Sequence, residues 1–148
     1  MIKQVTSCDY NFAIKLSNLE NALFKNSWPP MMIYQKVNDG TFVYWIFLYE
    51  EKIIGYLAVH SLGDSIEILG IGVVKEHRRK KIASRLIENF LSYFENSDFR
   101  SITLEVRKSN SAAQKLYRQF GFTKVGEREN YYKNEDAELY TKEKLYVR

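Results

Sequence analysis

The sequence has only one cysteine, Cys8, among its 148 residues. A single cysteine excludes an internal disulfide framework, and so few thiols fit a protein of the reducing cytoplasm. An isolated cysteine is more often a half-buried bystander than a nucleophile, so we assign Cys8 no catalytic role. Histidine is almost as rare: His60 and His77 show no neighbouring pattern typical of catalysis, and we expect both at the surface.

Long apolar runs are also missing from the sequence. The most apolar window, Phe42–Tyr49, is too short to span a bilayer, and Met1–Gln4 is not followed by the apolar segment of a signal peptide. The sequence shows no zinc-ligand spacing, no aromatic RNA-binding motif and no internal repeat. We therefore expect a cytoplasmic protein with no membrane association, no metal and no direct nucleic-acid role.

Positive charge, in contrast, is in excess. Lys and Arg number 22 against 18 Asp and Glu, which gives a net charge of +4 and a pI near 9.0. This balance suggests an anionic ligand or partner, although charge alone does not distinguish a phosphate-bearing cofactor from RNA. The length predicts one domain over residues 1–148 with a core that needs no covalent staples. We expect a monomer or weak dimer.

The chain is organised around residues 66–94. An apolar strand is predicted over Ile66–Val74, a cluster of six basic residues follows, and apolar residues at four-residue steps predict a helix over Lys80–Glu95. A basic turn between a strand and a helix directs backbone N–H groups and the helix dipole at one place, which suits a pyrophosphate. The alternative is a solvated charge run before an ordinary surface helix.

Strands and helices alternate irregularly in the rest of the sequence. Apolar and polar residues alternate over Ile102–Arg107, which predicts a strand with one apolar face. Met31–Val37 is ambiguous between helix and strand. The order predicts a mixed α/β fold with meandering strands and one parallel pair bridged by the Lys80–Glu95 helix. The other predicted elements are helices from Asp9 to about Phe24 and from Ser109 or Asn110 to Gly121, and strands at Ile2–Val5, Thr41–Tyr49, Ile53–His60, Phe122–Glu129 and Ala137–Glu143.

Three blocks of sequence occur in order and at fitting spacing. The blocks are Val73 with His77-Arg78-Arg79-Lys80-Lys81-Ile82-Ala83; Leu104-Glu105-Val106-Arg107 with Asn110, Ala113, Tyr117, Gly121 and Phe122; and Arg128 with Asn130-Tyr131-Tyr132 and Glu135-Asp136-Ala137. Together they resemble the GCN5-related N-acetyltransferase (GNAT) superfamily. The similarity covers about Ile66 to Thr141, and its second and third blocks look closest to the bacterial ribosomal-protein-alanine N-acetyltransferases.

This resemblance implies a fold and a cofactor. The fold would be a mostly antiparallel sheet of about seven strands flanked by helices, with a parallel strand pair at the cofactor cleft. The cofactor would be acetyl-CoA, with CoA as product. One departure stands in the pyrophosphate loop, where the family has glycine and this chain has Lys81, for which we expect helical φ and ψ. The cofactor-binding residues implied by the resemblance are Ile71, Gly72, Val73, Arg78, Arg79, Lys80, Lys81, Ile82, Ala83, Ser84, Asn110 and Tyr117.

The resemblance also assigns catalytic roles. Glu105 matches the residue proposed as general base in the ribosomal-protein group, and it lies on the strand face opposite Ile102 and Leu104. Tyr117 matches the family's thiolate-protonating tyrosine. Without the motif, Glu105 reads as an exposed strand carboxylate, Tyr117 as a core aromatic and Asn110 as a helix cap. Glu67 is a reserve candidate for the base.

The acceptor side of the site is expected at aromatic residues. In N-terminal acetyltransferases, tyrosines that match Tyr131 and Tyr132 lie beside the entering peptide, and Trp28 offers another wall. A lone carboxylate suits an α-amine, with a pKa of about 8, better than a lysine amine at about 10.4. The acceptor predicted first is the N-terminal amine of a protein, with a ribosomal protein first in line. The alternatives are a small amine, such as a polyamine, aminoglycoside or amino acid, and a basic module that keeps the fold without turnover.

Overall fold

A computed structural model describes residues 1–24 and 27–144. In this part of the chain, seven strands and four α-helices follow one another in an irregular order, as the sequence predicts. The strands are β1 Ile2–Val5, β2 Phe42–Tyr49, β3 Lys52–Leu62, β4 Ser65–Val73, β5 Ser101–Arg107, β6 Thr123–Tyr132 and β7 Glu135–Glu143. The helices are α1 Tyr10–Phe24, α2 Pro30–Asn38, α3 Ile82–Glu95 and α4 Ser111–Gln119.

The strands form one sheet in the order β1-β2-β3-β4-β5-β7-β6. The pairs β1–β2, β2–β3, β5–β7 and β6–β7 are antiparallel, whereas β4 and β5 run parallel, with Ser65 opposite Ser101 and Ile68 opposite Leu104. Parallel strands need a long crossover, and α3 lies in the segment that joins β4 to β5. The predicted mixed, mostly antiparallel sheet with one parallel pair is therefore confirmed.

The chain divides into two compact units, and each unit consists of two separate stretches of sequence. Unit 1 holds Met1–His60 and Leu69–Leu91. Its first three strands and first two helices bury a common apolar core, in which the side chains of Leu16, Ile33 and Tyr44 are excluded from solvent. The aromatic content of β2 contributes much of this buried area.

Unit 2 holds Ser61–Ile68 and the residues from Ser92 onward. The alternation predicted for β5 is present: Ile102, Leu104 and Val106 are buried, and the residues between them face the other side. Phe122 and Tyr140 complete the buried layer. A single domain over residues 1–148 stays a prediction.

Local signals in the sequence placed several helix ends correctly. The Asp9 carboxylate accepts the backbone N–H of Phe12 at 2.8 Å, and the Asn110 side chain accepts that of Ala113 at 3.1 Å, so both residues are N-caps. Gly121 follows α4 with a φ of +89°, a conformation in which glycine avoids the strain of a Cβ.

Several boundaries differ from the predictions. The ambiguous segment Met31–Val37 belongs to helix α2, which begins at Pro30, because proline fits the first turn of a helix. Helix α3 begins at Ile82 and not at Lys80, because the backbone of Lys81 has a φ of +60°. Strand β6 continues past Glu129 to Tyr132.

A tight turn joins β2 to β3. Glu50 and Glu51 both have positive φ, at 49° and 65°, between the paired residues Tyr49 and Lys52. Two successive left-handed residues form the turn whose twist matches that of a hairpin. None of the described helices has the length and apolar character needed to cross a bilayer.

Candidate active site

A basic cavity lies where β4 leads into α3 in unit 1. Its volume is about 310 Å³. Val73 ends β4 at one side, and the first turn of α3 forms another part of the wall. The cavity is lined by Val73, His77, Arg78, Arg79, Lys81, Ile82, Ala83 and Ser84.

The loop backbone shapes this cavity. Arg79 and Lys81 both have left-handed φ values, at 65° and 60°. The Lys81 carbonyl accepts the N–H of Arg85 at 3.1 Å, so Lys81 stands at the N-cap of α3. The Arg78 side chain is held against the end of β4, because its Nε donates a hydrogen bond to the Val73 carbonyl at 3.0 Å. The N–H groups in the first turn of a helix have no partner within the helix, and they suit an anion.

The expectation of helical φ and ψ for Lys81 is therefore wrong. The position opens the turn before the helix, and its left-handed conformation is the one that glycine adopts at least cost. Lysine is tolerated here because the cap bond to Arg85 and the surrounding loop hold the conformation.

Only some of the predicted cofactor-binding residues line this cavity. Lys80, Ile71 and Gly72 do not line it, and Asn110 belongs to unit 2. Gly72 has a packing reason of its own, because a Cβ there would lie 2.8 Å from Leu23 Cδ1. His77 does line the cavity, with its ring centroid 5.0 Å from that of Tyr49, although the sequence marked it only as a surface residue.

Glu105 lies at the centre of a second group of residues, in unit 2. Its side chain projects from β5 away from the apolar layer and is 14% exposed. Arg128 Nη1 lies 3.3 Å from Glu105 Oε1. The Tyr131 hydroxyl forms a hydrogen bond with the same carboxylate, which, together with burial, raises the pKa of Tyr131 to about 12. The negative charges of Glu105 and Glu67 raise this pKa further.

A bulge in β6 places Tyr131 at that carboxylate. Arg128 pairs with Ala137 and Tyr132 with Glu135, so three residues of β6 face one residue of β7. Asn130, in the middle, has a φ of +52°, and its N–H donates to Asp136 Oδ1 at 2.9 Å. Bulges bend a strand and redirect its side chains. We name Glu105, Arg128, Tyr131 and Tyr132 the carboxylate–tyrosine cluster.

Tyr131 and Tyr132 form an aromatic pair at this cluster. Their ring centroids are 5.1 Å apart and nearly perpendicular. The guanidinium of Arg107 lies 4.1 Å from the centroid of the Tyr132 ring, and that of Arg128 lies 5.4 Å from the Tyr131 ring. Cations stacked on aromatic faces hold both sides in place. The sequence motif included Arg107 and Arg128 but gave neither a role, because the strand register that brings them to the tyrosines is not visible in one sequence.

Tyr117 is a buried residue of α4. Its side chain is 4% exposed, and its ring packs edge-on against Phe122 with centroids 5.6 Å apart. Burial, followed by the charge of Tyr132, raises the pKa of Tyr117 above its usual value of 10. Its hydroxyl therefore stays protonated at neutral pH, as a proton donor requires.

Trp28 lies in unit 1, within a network that sequence reasoning missed. Its backbone N–H donates to Glu20 Oε1 at 3.3 Å, and its backbone carbonyl accepts a hydrogen bond from the Ser17 hydroxyl at 2.7 Å. Glu20 is 4% exposed and also accepts the Tyr44 hydroxyl at 2.6 Å. Burial raises the pKa of Glu20 despite both bonds. The signal was present, since Glu20 follows Leu16 by four residues and so shares its helix face.

The fold and these two groups of residues suit an enzyme that transfers a group from a phosphate-bearing donor. A mixed sheet with a basic strand-to-helix loop suits a phosphate-bearing donor, and a carboxylate beside tyrosine hydroxyls suits proton transfer during group transfer. Across residues 1–24 and 27–144, no group of His, Cys, Asp and Glu side chains is arranged to hold a metal ion.

The family follows from comparison with known proteins. The sequence profile of the Acetyltransferase (GNAT) family matches residues 13–122. The chain belongs to this family, and it is an N-acetyltransferase.

Individual relatives share modest identity with the chain over most of its length. The N-alpha-acetyltransferase RimI of Mycobacterium tuberculosis is 30% identical over 135 residues, which cover 87% of this chain and 84% of the relative. The ribosomal protein bS18-alanine N-acetyltransferase of Haemophilus ducreyi is 26% identical over 138 residues, with coverage of 93% and 92%. The solved structure of the ribosomal-protein-S18-alanine N-acetyltransferase from Escherichia coli has a TM-score of 0.82 at 21% identity, covering 95% of this chain and 92% of that one.

Proposed function

We propose that this enzyme transfers the acetyl group of acetyl-CoA to the N-terminal α-amine of a protein, with a ribosomal protein as the first candidate. The transfer is direct, from donor to acceptor bound together, with no covalent enzyme intermediate. The hydrogen bond between the Tyr131 hydroxyl and the Glu105 carboxylate carries this assignment, because it joins the candidate base to the candidate acceptor wall.

The pyrophosphate of acetyl-CoA is assigned to the basic cavity. The N–H groups of Ile82, Ala83 and Ser84 in the first turn of α3, which lack an acceptor within the helix, supply donors, and Arg79 and Lys81 add positive charge. Ile71–Val73 lie along the pantetheine arm in this proposal, with a backbone N–H near Val73 on the acetyl oxygen. That N–H would stabilise the oxyanion that forms during transfer.

The chemistry needs one base and one acid. The neutral amine nitrogen attacks the thioester carbonyl, a C–N bond forms, and the C–S bond of the tetrahedral intermediate then breaks. Glu105 accepts the proton that the nitrogen loses, through a bridging water. Tyr117 donates its proton to the departing thiolate, a role that requires its hydroxyl to be protonated at neutral pH, as it is.

The acceptor is assigned to the carboxylate–tyrosine cluster. Tyr131 is 49% exposed, so its ring offers flat contact area together with a fixed hydroxyl. An α-amine is easier to deprotonate than a lysine amine by roughly 3 kcal/mol at neutral pH, which suits a single carboxylate. The relative in Mycobacterium tuberculosis is named an N-alpha-acetyltransferase, and the relative in Haemophilus ducreyi is named a ribosomal protein bS18-alanine N-acetyltransferase.

A small cationic amine is the second candidate acceptor. The observation that favours it is the second carboxylate, Glu67, whose charge acts on Tyr131 together with that of Glu105. Other acidic pairs in the sequence serve this candidate less well. Glu127 is paired with Lys124 at 2.8 Å, and Glu50 and Glu51 form the turn between β2 and β3.

Thiol release from acetyl-CoA tests the proposed function. The acceptors are peptides that begin with Ala, Ser or Met, free lysine, spermidine and an aminoglycoside, and mass spectrometry locates the acetyl group. We expect turnover on the Ala-initiated peptide at its α-amine. Turnover restricted to a small amine would replace the acceptor assignment, and failure to bind acetyl-CoA would contradict the assignment of the cavity.

A further inference from the structure

Two carboxylates act on one hydroxyl in the acceptor region. Glu105 is hydrogen-bonded to the Tyr131 hydroxyl, and the charge of Glu67 also reaches it. Two negative charges that share a region attract cations, and the attraction is strongest where solvent is partly excluded. With no counter-charge, this region would favour acceptors that arrive as ammonium ions.

Arg128 supplies a counter-charge at close range. Its Nη1 lies 3.3 Å from Glu105 Oε1, and its side chain is 57% exposed while that of Glu105 is 14% exposed. The guanidinium therefore sits on the solvent side of a carboxylate that water screens only weakly. Its contact with the Tyr131 ring, 5.4 Å from the centroid, keeps the charge over the acceptor wall.

We propose that Arg128 is a specificity-determining residue, which neutralises Glu105 and thereby disfavours acceptors that carry ammonium groups relative to acceptors with a neutral amine. The inference rests on the proposed function in one respect, since it takes Glu105 as the group that meets the acceptor nitrogen. An α-amine, with a pKa of about 8, is partly neutral at pH 7.5, whereas a lysine amine at about 10.4 is almost wholly charged.

Four substitutions separate charge from structure. Arg128→Met and Arg128→Gln remove the charge, and Arg128→Lys keeps it. Lys108→Met is the matched control, because Lys108 is 56% exposed in the same unit and its Nζ pairs with Glu127 at 3.8 Å. Thermal unfolding and acetyl-CoA affinity establish that each variant is folded and binds the donor.

The measurement is kcat/KM for a set of amines at pH 7.5. The low-pKa acceptors are an Ala-initiated peptide and a small amino acid amide. The cationic acceptors are an N-terminally blocked peptide with one lysine and spermidine. The quantity compared between variants is the kcat/KM for the cationic acceptors divided by the kcat/KM for the low-pKa acceptors.

We expect Arg128→Met and Arg128→Gln to raise this ratio about tenfold, equivalent to about 1.4 kcal/mol, and Arg128→Lys and Lys108→Met to leave it near the wild-type value. The increase should shrink at high ionic strength, because an exposed guanidinium acts through a screened field. A ratio that is unchanged or lower in both charge-removing variants would overturn the inference. If the wild-type enzyme does not acetylate the peptides, the proposed acceptor is wrong but the inference on Arg128 is still tested. The amino acid amide and spermidine then give the ratio of kcat/KM values for each variant.

Discussion

Lys81 carries a local strain that one substitution relieves. A φ of +60° costs an L-residue about 1–2 kcal/mol. Glycine at this position removes that cost, but its greater conformational entropy in the unfolded chain opposes folding by about 0.5–1 kcal/mol. We expect Lys81→Gly to raise the free energy of unfolding by about 0.5–1 kcal/mol and the Tm by roughly 2–3 °C.

Lys80→Gly is the control for that substitution, because Lys80 has no left-handed φ. It should lower the Tm, since glycine there adds only unfolded-state entropy. Thermal unfolding followed by circular dichroism measures both variants. Equal Tm changes of the same sign in the two would contradict the account of strain at Lys81.

Glu105 and Tyr117 are the side chains on which the proposed chemistry depends. We expect Glu105→Gln and Tyr117→Phe each to lower kcat by about 10²-fold or more, the usual contribution of a positioned acid or base. Neither residue lines the basic cavity, so the dissociation constant of acetyl-CoA should be unchanged by calorimetry. Glu143→Gln, at an exposed position of β7, should keep wild-type kcat. Loss of donor binding in Glu105→Gln would instead indicate a structural role.

At the level of elements, the bulge in β6 positions the tyrosine of the proposed acceptor wall. Asn130 holds a φ of +52°, which asparagine and glycine tolerate and a β-branched residue does not. We expect Asn130→Val to cost about 1–2 kcal/mol of stability and to raise the KM of the amine acceptor several-fold, because Tyr131 loses its place at Glu105. The KM of acetyl-CoA should not change.

Asn130→Gly is the matched variant for the bulge, since it keeps the left-handed backbone and the N–H that donates to Asp136. It should retain the wild-type KM for the acceptor. Steady-state kinetics with one substrate varied at a time separates the two KM values. An Asn130→Val enzyme with an unaltered acceptor KM would show that the bulge does not position the tyrosine.

The stability of the molecule as a whole should depend on the protonation of Glu20. Burial raises the pKa of Glu20 above its usual 4.5, so the folded chain holds this proton to a higher pH than the unfolded chain. The group's contribution to the free energy of unfolding is complete below pH 4.5 and is lost as pH rises through the folded pKa. We expect Glu20→Gln to gain stability relative to wild type across that window.

Urea unfolding from pH 4 to 8 measures this effect as the difference between Glu20→Gln and wild type. Other carboxyl groups contribute slopes of their own, and the difference removes them. Glu88→Gln, on the exposed face of α3, is the control for removing a surface carboxylate. A flat difference for Glu20→Gln would contradict the assigned cause.

Most of the elements could be predicted from the sequence, whereas the contacts within the candidate site could not. The alternation in β5 gave the face of Glu105, and cap residues gave the ends of α4, because both signals are local. The left-handed φ of Lys81 was indicated only by the glycine that the family has at this position, since lysine itself does not mark such positions. The pairing of Arg128 with Glu105 depends on the register of β5, β7 and β6, which tertiary packing sets.

The division of β4 between the two units has a consequence for the order in which a ribosome makes the chain. Unit 1 is complete once Leu91 has emerged, although its sequence is interrupted by Ser61–Ile68. That short stretch is made early and pairs with Ser101–Leu104, which are made later. Because Ser101–Leu104 follow α3 in the chain, we expect a nascent chain to hold an unpaired β4 edge while α3 is being synthesised, and parallel pairing across such a separation is slow. We therefore expect slower translation through residues 69–104 to lengthen the time for which that edge is open to other chains.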